Sequence, residues 1–203
     1  MTNTAFVFAR WPATAIIFMA VLALASSARA QSSTDHDWQH GTTLTGFVGA
    51  QSAPSSDVKA AGGAGFGWEV TPRLSLEGRA TWFPSGDEQS DFAATFAAHF
   101  PLVTRRRVVP FVTGGLGLYR ATINPLSSDV PAFYRNRLSS ATVLQTFQDF
   151  ALTAGAGASF YMSDHFALRP EFTLMLLTTS SDVRPVGVYG VQFVFHFDAH
   201  PIE

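Results

Sequence analysis

The segment AAGGAGFGWEVTPRLSLEGRATWF, residues Ala60–Phe83, constrains the fold of this chain more than any other stretch. It consists of two runs of about ten residues, the length a tilted strand needs to cross a bilayer, joined at Thr71-Pro72-Arg73. Side chains alternate across a strand with period two. Ala64, Phe66, Trp68 and Val70 therefore share one face of the first run, and Gly63, Gly65, Gly67 and Glu69 the other. In the second run Leu74, Leu76, Ala80 and Trp82 oppose Arg73, Ser75, Glu77, Arg79 and Thr81. A soluble sheet turns such an apolar face inward, whereas a membrane barrel turns it to lipid. Three alternate glycines suit the narrow lumen of an eight-stranded barrel and make a poor water-facing surface. Trp68 and Trp82 stand near strand ends, where an interfacial aromatic girdle belongs.

Composition points the same way. Charged residues make up 14% of the 203, against roughly 25% in ordinary soluble domains. Among the 13 basic residues Lys59 is the only lysine, so the chain lacks the Lys-rich surface that soluble proteins use. A net charge of −2 gives no basis for a nucleic-acid partner. There is no cysteine, which excludes disulfides and thiol chemistry.

Residues 1–30 have the form of a secretory signal peptide: Arg10, an apolar run over Ala13–Ala25, and Ala28-Arg29-Ala30 before Gln31. Residues 31–41 read as a polar tail, in which His36 and His40 lack a scaffold to fix them as metal ligands. The periodic stretches that follow are 42–51, the two arms within 60–83, then 91–101, 109–121, 149–162, 165–178 and 186–198. Together they predict an all-β fold, an eight-stranded antiparallel up-and-down transmembrane β-barrel over residues 42–198, with a short tail at 199–203. Phe66, Leu76, Phe96, Leu116, Leu174 and Phe193 are expected to face lipid, and Gly65, Glu77, Thr95, Gly115, Glu171 and Gln192 the lumen. Residues 122–148 carry no strong period and are expected to project outward as a partner-binding loop, with a short helix or strand extension near 140–147. Arg105–Arg107 forms a basic turn at the opposite end.

PFVTGGLGLYR (110–120), HFALRPEF (165–172) and VYGVQFVFHF (188–197) resemble the small OmpA-like outer-membrane β-barrel domain family over about 42–198. The resemblance implies a bacterial outer-membrane location, contact with lipid and lipopolysaccharide, and delivery to the barrel-assembly machinery. Gly190, Phe193 and Phe195 have the spacing of that machinery's signal, though Val188 stands where the family usually has a polar residue. The periplasmic peptidoglycan-binding domain of larger relatives is not expected.

The charges on the lumen face are Glu69, Glu77, Arg79, Arg169 and Glu171, with His99 as a companion. Buried ions need partners, so Glu77, Arg79, Arg169 and Glu171 are expected to form a salt-bridged plug. A gated, narrow ion path is the alternative. Ser163-Asp164-His165 holds the residue types of a catalytic triad, but its chain neighbours suit a turn better than a convergent site. No catalytic, metal or cofactor residues are assigned, which gives a non-enzymatic envelope barrel. A lipid-modifying barrel enzyme, deacylase or acyltransferase in type, is the competing class.

Overall fold

The computed structural model describes residues 41–53, 58–84, 90–103, 106–126, 130, 132–135, 137–138, 144–178 and 182–198. The expected signal peptide, nearly all of the polar tail, and residues 199–203 lie outside the described residues. Eight strands run β1 (Thr42–Ser52), β2 (Lys59–Thr71), β3 (Leu74–Pro84), β4 (Ser90–Pro101), β5 (Val108–Ile123), β6 (Gln145–Ser163), β7 (Phe166–Thr178) and β8 (Val183–His196). Each pairs antiparallel with its neighbour in sequence, and β8 pairs back onto β1, so the sheet is a closed up-and-down barrel. In the closing seam Gly46 faces Phe193 and Val48 faces Val191.

Alternation is inverted relative to a soluble sheet. Phe66, Phe96, Leu116 and Phe193 are exposed on the outside, while Glu77, Glu171 and Gln192 are buried within. Trp68 and Trp82 are both exposed, at opposite ends of the same hairpin, because Trp68 pairs with Leu76 beside the turn and Trp82 pairs with Gly62. They mark the two interfaces where amphipathic rings sit.

Small lumen residues follow from how closely the strands approach. A Cβ at Gly65 would lie 2.6 Å from Thr45 Oγ1 and 2.8 Å from the Gly78 carbonyl oxygen. One at Gly115 would collide with the Phe96 carbonyl. The outward Gly46, Gly78 and Gly114 meet nothing within 4 Å.

Three strands depart from their expected bounds by two residues or more. β5 and β6 extend to Ile123 and from Gln145, since Ala121 pairs with Phe147 and Ile123 with Gln145. β8 begins at Val183, and Phe197 and Asp198 form a bend after it. His165 belongs to the β6–β7 turn, beside an irregularity between Tyr161 and Ser163.

The larger correction concerns the loop read as projecting outward. Its helix α1 (Ala132–Arg135) turns back into the barrel mouth, and Tyr134 is among the most buried side chains in the protein. Val130 and Tyr134 join Phe83, Tyr119, Ile123 and Leu177 in one apolar cluster. The half of the lumen near this loop is therefore filled by side chains, an apolar cluster with buried polar groups beside it, because an eight-stranded barrel is narrow enough for side chains to fill.

Arginine at the lipid-facing Leu116 should destabilise the protein by roughly 2–4 kcal/mol, read by urea unfolding in bilayers. Gly65→Leu should destabilise by at least ~1–3 kcal/mol through overpacking. A protein indifferent to both would have its faces the other way round.

Candidate functional site

Among the described residues, ionisable side chains from several strands converge in the lumen, at three levels. The middle level is built from β3, β7 and β8. Glu77 and Arg79 share the inward face of β3, Arg169 and Glu171 that of β7, and Gln192 that of β8. Arg79 donates from Nε to Glu77 Oε1 (2.9 Å) and from Nη2 to both oxygens of Glu171 (3.1 and 3.2 Å). Arg169 donates from Nη2 to Glu77 Oε2 and from Nε to Gln192 Oε1 (3.0 Å). Gln192 donates from Nε2 to Glu171 Oε2 (2.6 Å), and Thr173 Oγ1 donates to Glu171 Oε1 (2.6 Å). Two cations and two anions thus close a ring with no net charge through Gln192: Glu77 accepts from both guanidinium groups, and Glu171 from Arg79 and the Gln192 amide. Charge-assisted bonds of this kind are the strong ones.

Aromatic rings brace the ring of charges. The Arg79 guanidinium lies 5.7 Å from the Phe47 ring centroid, and that of Arg169 lies 5.7 Å from Phe111. His99 packs 5.4 Å from Phe111, with Nε2 3.9 Å from Glu77 Oε2.

Glu69 stands apart from these four. It pairs with His196 at the short-turn end, Oε1 to Nδ1 at 3.5 Å, and the His196 ring lies 5.5 Å from that of Tyr161. Its separation follows from chain position: Glu69 lies next to the β2–β3 turn, whereas Glu77 and Arg79 sit deeper on β3.

The third level closes the long-loop end, and the sequence pattern does not reveal it. Tyr134 donates its hydroxyl to Asp149 Oδ2 (3.1 Å), and Arg137 donates from Nη1 to Asp149 Oδ1 (2.9 Å). Arg137 lies 4.8 Å from the Phe147 ring and 5.5 Å from that of Tyr134. Arg184 covers the same Tyr134 ring at 5.5 Å. Lys59 meets Asp91 at 2.8 Å, and Gln51 donates to the Tyr119 hydroxyl at 3.0 Å. The only available signal was Lys59, the lone lysine, at a strand start.

Between the ring and this cap lies a cavity of about 30 Å³ lined by Thr81, Thr95, Thr113, Thr153 and Thr173, with Arg79 and Glu171 at its floor. Phe83, Ala93, Ala97, Met175 and Val188 complete its walls, so the lining is mixed, and it is large enough for a water held by the polar groups.

Ser163, Asp164 and His165 are all exposed at the β6–β7 turn, and the His165 ring faces Phe195 at 6.4 Å. Among the described residues no group of three His, Asp or Glu is placed to hold a metal ion.

The sequence matches the family described as outer membrane protein beta-barrel domain over residues 16–197. No curated protein sequence matches it. Among solved structures it is similar to Neisserial surface protein A, with a TM-score of 0.58 and 12% identity, covering 78% of this chain and 97% of that one. The N-terminal β-barrel domain of Pseudomonas aeruginosa OprF gives 0.52 and 15%, covering 76% and 97%. Ail, the attachment invasion locus protein of Yersinia pestis, in complex with the heparin analogue sucrose octasulfate, gives 0.50 and 12%, covering 78% and 97%. At such identities the likeness is one of fold.

Removing one member of the charge ring, as in Arg169→Met, should cost roughly 3–5 kcal/mol by stranding a buried carboxylate, and the Glu77→Gln/Arg169→Met pair should cost less than the sum. A double-mutant cycle by urea unfolding measures the coupling. A second expectation concerns the cap. Burial, reinforced by the Asp149 carboxylate, raises the Tyr134 hydroxyl above its ordinary pKa of 10.0. The stability it lends is thus fully present below pH 10.0 and is lost as pH rises beyond it. Protease cutting in loop 124–144 should accelerate above that pH in the wild type, and the extra acceleration should vanish in Tyr134→Phe.

Proposed function

Because this chain belongs to the outer membrane protein β-barrel domain family, whose place is the bacterial outer membrane, we propose that it is a sealed, non-enzymatic barrel with a structural role in the envelope. The observation that carries this reading is the double closure of the lumen. Conduction would require a path past the neutral ring of Glu77, Arg79, Arg169 and Glu171 and then past the Tyr134–Asp149–Arg137 cap. Breaking the ring in place strands buried charge, so closure is the resting state.

The absence of catalysis is supported by the fate of the one triad-like trio. Ser163, Asp164 and His165 point into solvent at a turn, and no hydrogen bond joins them. A nucleophile needs its base within hydrogen-bond reach.

The long connections lie at one end and the tight turns at the other, which orients the barrel with loop 124–144 outside the cell and Pro72-Arg73 and Asp164-His165 in the periplasm. Lipopolysaccharide then meets the outer rim, and the barrel-assembly machinery reads β8 during insertion. The outward side of the loop, where Leu126 and Leu144 are exposed, is the surface offered to an extracellular partner.

Purified protein in planar bilayers should show no steady conductance, and labelled phospholipid or lipopolysaccharide should remain uncleaved. Steady wild-type conductance would replace the plug with a channel. Acyl release lost on replacing a single barrel serine or histidine would replace the structural role with catalysis.

A further inference from the structure

The short-turn rim carries cations that the protein does not use internally. Lys59, Arg79, Arg137 and Arg169 each hold a carboxylate. The guanidinium groups of Arg73, Arg106, Arg107 and Arg120 carry no such partner among the described residues. Three of these four lie at one end: Arg73 in the β2–β3 turn, Arg106 and Arg107 in the β4–β5 turn, all exposed. The turns are neighbours, since Ser75 pairs with His99 across β3 and β4.

Acidic groups at the same rim are engaged or lie elsewhere on it. Glu69 turns inward to His196, and Asp198 accepts the Thr42 amide at 3.3 Å. Asp164 lies on the β6–β7 turn. Just above the arginines the outer wall presents Trp68, Phe100, Leu102 and Val108, all exposed and apolar. Acyl chains therefore end at the height where the arginines begin.

We propose that Arg73, Arg106 and Arg107 form a seat for the phosphate of an anionic phospholipid headgroup in the leaflet at the short-turn end. The chemistry is complementary: guanidinium groups bind phosphate oxygens through a planar fork of donors. A basic group near an anionic leaflet gains about fivefold in local preference, the equivalent of ~1 kcal/mol. A membrane lipid is the occupant because the apolar wall holds its chains directly beside the three charges. A soluble polyanion would use the charges and leave that wall unused. The seat is independent of whether the lumen conducts.

The test places the full chain in nanodiscs of phosphatidylethanolamine with or without phosphatidylglycerol. Native mass spectrometry reads which lipid is retained. Brominated phosphatidylglycerol locates it by quenching Trp68 or Trp82, each studied with Trp11, Trp38 and the other tryptophan replaced by Phe. Phosphatidylglycerol should be retained preferentially and should quench Trp68 more than Trp82. Arg73→Gln, Arg106→Gln and Arg107→Gln should each lower that preference by about fivefold, with added salt weakening it further. Arg→Lys versions should retain most of it, and Arg120→Gln, at the opposite rim, should leave Trp68 quenching unchanged. Heat-modifiability on gels checks that every variant is folded; these exposed turn positions leave the barrel intact. Wild-type retention in the triple Gln variant would overturn the proposal. So would inorganic polyphosphate binding to the detergent-solubilised protein without competition from phosphatidylglycerol.

Discussion

Every amide and carbonyl that a strand carries into hydrocarbon must find its partner within the protein, because lipid offers none. In this chain that demand is met only when β8 pairs with β1, which turns a meander with two open edges into a barrel with none. Closure fixes the girth, and girth fixes what the interior can hold. Gly65 and Gly115 are consequences of it, since a Cβ at either would strike the neighbouring strand. The exposed Phe66, Phe96 and Leu116 are its counterpart, apolar area that lipid covers.

A narrow closed lumen leaves two ways to satisfy its contents: fill it with apolar groups, or pair every charge. This protein does both at different heights. Phe83, Tyr119, Leu177 and the loop residue Tyr134 fill the half near the long loop. Glu77, Arg79, Arg169 and Glu171 satisfy one another lower down, and the neutral Gln192 completes the circuit by accepting from Arg169 and donating to Glu171. The same pairing that offsets the cost of burying these charges closes the channel they occupy.

The strand faces were legible because period-two alternation is local: each of Phe66, Leu116 and Phe193 can be placed from its neighbours alone. Glu77 and Arg79 declared themselves as lumen residues because so few charges interrupt the strands. Gln192 carries no charge to draw notice, so its bridging role depends on the three-dimensional register of β7 and β8. Glu69 looked equivalent to Glu77 on the same polar face, yet its place beside the turn brings it to His196. The cap was the least legible part. Tyr134 and Arg137 reach Arg184 of β8 through a loop without period, and nothing in its sequence says whether it turns in or out.

The chain contains no cysteine, so a single Thr153→Cys places one thiol in the cavity between the ring of charges and the cap. Its reaction with a charged, membrane-impermeant thiol reagent in the bilayer tests the sealed lumen directly. The account predicts no labelling from either side of the membrane and full labelling once the protein is unfolded. Rapid labelling of the folded protein from either side would contradict it.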